Sequence, residues 1–225
     1  MKILEHSLWS ILAHQNLPAP KTVLQVGASA GQEIEDFWRA GINTGLFIEP
    51  LDIPFQILVE RCKNKQNFFP VQALAVSEDN LKTNFYVASN GGQSSSILEP
   101  LKHLEYYPSV HFENGVEIIG HRVDTLAKLS KQSCDALPHH YDLFFLDVQG
   151  AELEVMKGSI RQLQKGKYIY AEICDGDGYK GDVRFMDLSI FLRAFGYKPI
   201  ALEADNSSGY GNCLWSKPFE FCMRA

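Results

Sequence analysis

A turn of small residues follows the first strongly apolar segment of the chain. Residues 26–32 read VGASAGQ, and the small side chains of Gly27, Ala28 and Gly31 let the backbone pass close to a ligand. Glu49 ends the next apolar segment, where a carboxylate can accept hydrogen bonds from both hydroxyls of a ribose. Each feature alone also occurs in a tight turn or a solvated strand end without a ligand. Together they predict binding of a cofactor that contains adenosine.

The glycine spacing distinguishes between cofactors of that kind. Dinucleotide-binding turns prefer G-x-G-x-x-G, whereas this chain has Ser29 and Gln32 at the second and third glycine positions. This compromises the backbone approach to a pyrophosphate, and the observed G-x-x-x-G spacing suits an adenosine that carries methionine better. The phosphate-binding pattern G-x-x-x-x-G-K-[ST] does not occur in the sequence.

A pair of acids follows the most apolar predicted strand. Asp147 comes directly after residues 141–146, and Glu152 opens the next predicted helix. An acid in the first turn interacts favourably with the helix dipole, which explains Glu152 without a ligand. Asp147 is therefore the predicted functional acid. It would orient the acceptor of a reaction or hold a divalent cation, although no clear metal-binding motif supports a metal.

The irregular segment 90–115 is predicted to cover the site as a lid. It is polar and longer than an ordinary connection, which is typical of loops that serve a site. It carries His103 and His111, two candidate bases for removing the proton of an acceptor hydroxyl. Packing or simple surface exposure is the alternative explanation for each histidine.

Alternating strands and helices must position these residues. Strands are predicted at 22–26, 45–49 and 71–76, and the alternation returns with strands at 141–146 and 168–173. The order predicts a Rossmann-like α/β fold with a mostly parallel central sheet flanked by helices. Ligands bind beyond the carboxyl ends of such strands. Those ends carry Gly27, Glu49, Ala75, Val76, Asp147 and Glu172.

The remaining predicted elements complete one domain over residues 1–225. An N-terminal helical segment occupies residues 1–20, and Pro18 and Pro20 end it. Further helices are predicted over 31–40, around 55–62, over 151–157 and before Gly196, and further strands over 83–88, 117–123, 198–203 and 213–217.

Composition narrows the classes of partner. The chain has 225 residues, a net charge of −6 and no run of basic residues, which argues against nucleic acid or an anionic membrane as a partner. No apolar run approaches the roughly 20 residues that span a bilayer, and the N-terminus lacks the features of a signal peptide. The five cysteines form no C-x-x-C pair and are expected to be reduced thiols of a cytoplasmic protein. The oligomeric state stays open.

Six motifs, in this order, resemble those of the FkbM family of methyltransferases. They are VGA followed by GQ at 26–32, IEP at 48–50, ALAVS at 73–77, SSS at 94–96, VDTL at 123–126 and LDVQGAEL at 146–153. The resemblance covers about residues 22 to 200. It implies a class I methyltransferase fold, S-adenosylmethionine as cofactor, and usually methylation of a hydroxyl on a sugar, a polyketide or another small metabolite.

These motifs and the strand-end positions define the predicted cofactor site. Its residues are Gln25, Gly27, Ala28, Gly31, Gln32, Glu49, Pro50, Ala75, Val76 and Asp147. The chain departs from the family pattern at three positions, because the family often has an acid at Gln25, a lysine at Phe145 and a glutamate at Gln149. An O-methyltransferase is the leading prediction. The alternatives are a nicotinamide-dependent oxidoreductase and a non-catalytic interaction module on the same fold.

Overall fold

The computed structural model describes residues 4–113, 115–174, 177–204 and 210–218. The predicted N-terminal segment and lid therefore each include positions outside the described residues, namely residues 1–3 and Asn114.

Seven strands form the central sheet, in the spatial order β3-β2-β1-β7-β8-β10-β9. The strands are β1 (Thr22–Val26), β2 (Thr44–Glu49), β3 (Phe68–Gln72), β7 (Leu143–Leu146), β8 (Tyr168–Cys174), β9 (Lys198–Ala204) and β10 (Tyr210–Ser216). The first five in this spatial order run parallel, and β10 is antiparallel to both of its neighbours. This arrangement confirms the predicted Rossmann-like, mostly parallel sheet. The chain order reverses at β1, which is where open parallel sheets bind their ligands.

Eight helices are present in the described part of the chain. They are α1 (Leu4–His14), α2 (Ile34–Arg39), α3 (Asp52–Cys62), α4 (His103–Tyr106), α5 (Val123–Ser133), α6 (Glu152–Lys157), α7 (Ile160–Lys165) and α8 (Phe185–Arg193). None of the helices in the described ranges is long and apolar enough to cross a membrane.

Alternate residues of the central strands point to opposite faces of the sheet, and each face has its own core. Leu24, Leu46 and Phe144 pack with residues of α5 to α8. Val23 and Phe47 pack on the other face with residues of α1 to α3. The second face also holds the side chains that continue into the polar end of the sheet.

The predicted strand over residues 71–76 is wrong, because the chain changes sheets within it. β3 pairs with β2 at the edge of the central sheet. A proline such as Pro70 is tolerated in an edge strand because the N–H group that it lacks would point away from the sheet. After Ala73 the chain enters β4 (Leu74–Val76), which joins β6 (Val116–Arg122) and β5 (Leu81–Phe85) in a second sheet of the order β4-β6-β5. Only Gln72 interrupts the apolar residues between Val71 and Val76, so the sequence pattern did not mark where the chain leaves the central sheet.

The middle segment is tied to the loop that precedes α8. The backbone N–H of Leu101 donates to the carbonyl of Gly178 over 2.9 Å, and that of Lys180 donates to Glu99 over 2.8 Å. α4 interrupts the segment, which the sequence pattern left irregular. The described part of the predicted lid is thus held by backbone hydrogen bonds to the loop that precedes α8.

Candidate active site

The carboxyl ends of three parallel strands, β2, β7 and β8, carry a layer of acidic side chains. In the layer below, Gln25 pairs in register with Phe47 and Phe145, and Phe145 pairs with Tyr170. Two residues further along their strands lie Glu49, Asp147 and Glu172, on the same face of the sheet because strand side chains alternate with a period of two. The predicted meeting of the strand ends at Glu49, Asp147 and Glu172 is confirmed, whereas the same prediction for Ala75 and Val76 is wrong, because they lie in β4 of the second sheet.

The glycine turn that begins this end of the sheet is shaped by packing. Gly27 has φ of +77°, and a Cβ atom there would collide with the backbone carbonyl of Asp147. Gly31 has φ of +74°, and its Cβ would lie 2.8 Å from Leu58 of α3. In the structure, the missing side chain of Gly27 lets the end of β1 lie against the end of β7. Binding of a cofactor at this turn stays a prediction. α2 begins only at Ile34, three residues later than predicted.

Glu49 is held by the turn that it faces. Its two carboxylate oxygens accept hydrogen bonds from the backbone N–H groups of Ser29, over 2.8 Å, and Leu51, over 2.9 Å. The residue is 5% exposed. Burial raises the pKa of Glu49 to about 7, against the lowering effect of the two hydrogen bonds.

Gln149 connects the two acids at the ends of β7 and β8. Its Nε2 donates to Asp147 Oδ1 and to Glu172 Oε2, each over 2.8 Å. Its Oε1 lies 3.2 Å from the Tyr179 hydroxyl oxygen, whose proton is donated to the nearer Ser94 carbonyl over 2.7 Å, and its backbone carbonyl accepts a hydrogen bond from Ser96 Oγ over 2.9 Å. The Gln149 amide can donate to both carboxylates, whereas an ionised glutamate at this position would have no proton to donate.

Glu152 caps the turn that leads into α6, as predicted. Its Oε1 accepts hydrogen bonds from the N–H groups of Val148, over 3.2 Å, and Gly150, over 3.3 Å. It is 1% exposed, and burial raises its pKa to about 8, with a further contribution from the charge of Asp147. The sequence did not predict that the charge of Asp147 acts on this capping acid.

Asp147 is the central acid of the group. The residue is exposed, yet surrounding protein atoms displace enough water to raise the pKa of its carboxyl, while the Gln149 hydrogen bond lowers it. Burial and the charge of Asp147 raise the pKa of Glu172 well above its usual range, and both effects also raise that of Glu33. Because burial and mutual repulsion of these carboxyls oppose their ionisation, a bound cation would stabilise their charged forms.

No basic side chain among the described residues neutralises this group. The salt bridges between described residues involve other acids, and none includes Glu33, Glu49, Asp147, Glu152 or Glu172. The described residues also contain no group of three or more ligating side chains placed to hold a metal ion. The arrangement is one that a cationic organic ligand would stabilise.

The two histidines lie in different environments. His103 is 1% exposed, its Nε2 lies 3.0 Å from Ser94 Oγ, and its ring packs against Tyr179 at 5.3 Å between centroids. Burial lowers the pKa of His103, which keeps the ring neutral near pH 7. An acceptor cannot reach a ring so enclosed. His111 is exposed, and its backbone N–H donates to Ser89 Oγ over 2.9 Å.

The other predicted site residues differ in how far they are exposed to solvent. Ala28 is fully buried in the core, and Ala75 and Val76 are buried within β4. Pro50 is half-buried and directly follows Glu49, and Gln32 is exposed, with its Nε2 3.5 Å from Ser29 Oγ. Phe145 lies in the aromatic layer beneath the acids, where it stacks on Tyr170 with centroids 5.0 Å apart. Position 145, where the sequence departs from the expected family pattern, thus lies in the core below the site.

Comparison with known proteins agrees with the fold and the motifs. The "Methyltransferase FkbM domain" matches residues 25–199. The chain is 26% identical over 184 residues to the 2-O-methyltransferase NoeI of Sinorhizobium fredii, which covers 77% of this chain and 71% of that protein. It resembles the fold of magnesium protoporphyrin IX methyltransferase from Synechocystis with a TM-score of 0.53 and 9% identity, over 95% of this chain and 78% of the other. The chain therefore belongs to the FkbM methyltransferase family, which confirms the prediction of an S-adenosylmethionine-dependent methyltransferase.

Proposed function

We propose that the protein methylates a hydroxyl group of a small, sugar-like acceptor. The observation that carries the proposal is a layer of carboxylates at the point where the strand order reverses, none of which has a salt-bridge partner among the described residues. The name of the relative NoeI, a 2-O-methyltransferase, supports oxygen as the acceptor atom. The nicotinamide alternative loses support because the family is one of methyltransferases.

The residues present fit a cationic adenosine cofactor. Glu49 retains lone pairs for the ribose hydroxyls after accepting its two backbone hydrogen bonds. Ser29 and Pro50 flank that carboxylate, and Gln25 presents a buried Oε1 that has no hydrogen-bond partner among the described residues. S-adenosylmethionine supplies an activated methyl group when it is bound. The acids around Asp147 would balance its positive charge.

Asp147 is the residue that we assign to the acceptor. Gln149 holds one of its oxygens at 2.8 Å, so the carboxylate has a fixed direction, and the side chain is open to the outside. A raised pKa brings the carboxyl closer to neutral pH, where it accepts a hydroxyl proton more effectively than an ordinary aspartate. Asp147 would thus orient the hydroxyl and hold its proton.

The described residues of segment 90–115, which are 90–113 and 115, contribute the wall of the acceptor site in this proposal. Ser96 Oγ donates to the Gln149 carbonyl over 2.9 Å, and the Tyr179 hydroxyl donates to the Ser94 carbonyl over 2.7 Å. These bonds link the segment to the acids, so its removal would disturb the orientation of Gln149. His103 supports the wall from inside, and a base role for His111 is less favoured than one for Asp147.

A radiolabel assay tests this function. The purified protein is incubated with methyl-labelled S-adenosylmethionine and a panel of glycosides, polyketide alcohols and primary amines. We expect label on a hydroxylated acceptor, retained under conditions that hydrolyse esters. Label on amines alone would overturn O-methylation. Cofactor binding without transfer to any member of the panel would favour the non-catalytic module.

A further inference from the structure

The polar edge of the sheet continues beyond the acids into the antiparallel strand β10. Asn212 is the register partner of Glu172, and Leu214, two positions later, is the partner of Tyr170. Leu214 and Tyr170 pack in the core between the sheet and α1 to α3. Because strand side chains alternate with a period of two, Asn212 and Glu172 lie on the same face of the sheet as Asp147. Directly opposed residues of antiparallel strands have Cβ atoms about 5 Å apart.

A ligand can reach all three of these polar side chains. Asp147 is exposed, and Glu172 and Asn212 are half-buried. Gln149 holds the two acids through one amide nitrogen. The side chain of Asn212 makes no hydrogen bond to another described residue. A primary amide offers two N–H donors and one acceptor oxygen, so it can donate to a hydroxyl group or accept from one.

Three tyrosines, which we call the tyrosine cluster, border this polar edge. Tyr210 comes two positions before Asn212 in β10, so its side chain lies on the same face. Its ring centroid lies 6.3 Å from those of Tyr106 and Tyr107, at the end of α4. Burial and, to a smaller extent, the charge of Glu172 raise the pKa of Tyr210, in agreement with a position beside the acids. Aromatic rings next to a few polar groups suit a ligand with an apolar face and a hydroxylated edge.

The spacing along the edge fits one sugar ring. Asp147 and Asn212 belong to β7 and β10, which are separated by β8 alone. Neighbouring strands are about 4.8 Å apart, so the two residues are about 10 Å apart across the sheet. A hydrogen bond of about 2.8 Å at each end leaves about 4–5 Å between two hydroxyl oxygens of a ligand. Two non-adjacent hydroxyls of a pyranose ring have that separation.

We propose that Asn212 binds the acceptor, and that the acceptor is a pyranoside. The amide of Asn212 hydrogen-bonds one hydroxyl of the ring while Asp147 receives the hydroxyl that is methylated, and the tyrosine cluster packs against the apolar face of the ring. The inference rests on the proposed function, because it requires methyl transfer to a hydroxyl. Asn212 lies beyond residues 25–199, which match the family, so this contact would belong to the chain's own acceptor specificity.

Kinetics with simple sugars tests the assignment. Methyl glucoside, methyl galactoside, methyl mannoside and their singly deoxygenated analogues are assayed with methyl-labelled S-adenosylmethionine. For the glycoside that takes up label, we expect Asn212→Ala to raise the acceptor KM about three- to tenfold, since one hydrogen bond is lost. Both kcat and the affinity for S-adenosylhomocysteine should stay within about twofold. Asn84→Ala is the matched control, because Asn84 is an exposed asparagine on β5 of the second sheet.

The deoxygenated analogues distinguish a direct contact from a structural effect. One of them lacks the hydroxyl that Asn212 binds, so we expect Asn212→Ala to leave the KM for that analogue unchanged. An unchanged KM for the parent glycoside, or equal increases for the parent and every analogue, would overturn the contact. Label on other hydroxylated acceptors but on none of the glycosides would overturn the sugar subsite alone. Label on no hydroxyl group at all would contradict the proposed function itself.

Discussion

Gln149 donates a 2.8 Å hydrogen bond to Asp147 from a residue with φ of 54°, in the left-handed backbone region. A side chain other than glycine is uncommon in that region, and the conformation costs of order 1 kcal/mol. This backbone conformation directs the Gln149 side chain toward the end of β7, where its Nε2 donates to both Asp147 and Glu172. The amide therefore sets the direction and charge balance of the carboxylates that we assign to catalysis.

Replacing that amide by an acid tests this role. Gln149→Glu removes both donors and adds a negative charge beside two others, so we expect turnover to fall at least about tenfold. The loss should exceed that of Gln56→Glu, an exposed position on α3. Steady-state kinetics with the labelled cofactor measures both. Unchanged turnover in Gln149→Glu would contradict the arrangement of the acids.

The assignment of Glu49 to the ribose predicts a loss of cofactor affinity. Glu49→Gln keeps the size of the side chain but weakens the charge-assisted contacts, which are worth about 1.5–3 kcal/mol. S-adenosylhomocysteine should bind about ten to a hundred times more weakly by calorimetry. Because Glu49 also accepts the N–H groups of Ser29 and Leu51, the melting temperature must be measured in parallel. Full affinity in a folded variant would remove the ribose role.

The raised pKa values predict how the ligand-free protein responds to pH. The pKa is about 7 for Glu49 and about 8 for Glu152, against an ordinary value of 4.5 in the unfolded chain, so the folded state binds more protons between these values. Their contribution to stability is complete below pH 4.5 and is lost as pH rises through 7 and 8. His103 acts in the opposite direction below its ordinary value of 6.5, because its pKa is lowered.

We therefore expect the melting temperature of the ligand-free protein to fall as pH rises from about 6.5 to about 8.5. One pKa unit corresponds to about 1.4 kcal/mol, and a loss of 2 kcal/mol lowers the melting temperature of a domain this size by roughly 4–8 °C. Differential scanning calorimetry at constant ionic strength measures the trend. Glu152→Gln should flatten it, and a melting temperature that rises to pH 8.5 would contradict the raised pKa values.

Much of this site was predictable from the sequence, because parallel strands bring their carboxyl ends to one edge. Glu49 and Asp147 each end an apolar run, and alternation of strands and helices determines their common edge. The hydrogen bond that Gln25 Nε2 donates to Glu33 over 2.9 Å depends on a turn whose course periodicity does not encode. The sequence pattern also did not predict the burial of His103, because that burial arises from packing between segments that are distant in the chain. Only Gln72 interrupts the apolar residues around the break at Ala73, so the sequence pattern did not mark the end of the strand.

Asp147→Asn separates acceptor chemistry from cofactor binding. The isosteric amide keeps the shape of the side chain but cannot take up a proton, so we expect turnover to fall at least about a hundredfold, consistent with loss of a general base. S-adenosylhomocysteine affinity should change by less than about threefold, because the contact matters mainly in the transition state. Normal turnover in this variant would move the proton-accepting role away from Asp147.

The central claim is that the carboxylate layer at the ends of β2, β7 and β8 binds a cationic adenosyl cofactor. Isothermal titration of the ligand-free protein with S-adenosylhomocysteine, and separately with NAD⁺, tests it most directly. We predict saturable binding of S-adenosylhomocysteine at one site per chain, at least about a hundred times tighter than any binding of NAD⁺, a difference of about 2.8 kcal/mol. Binding of NAD⁺ with equal or greater affinity, or no binding of S-adenosylhomocysteine by the folded protein, would contradict the account.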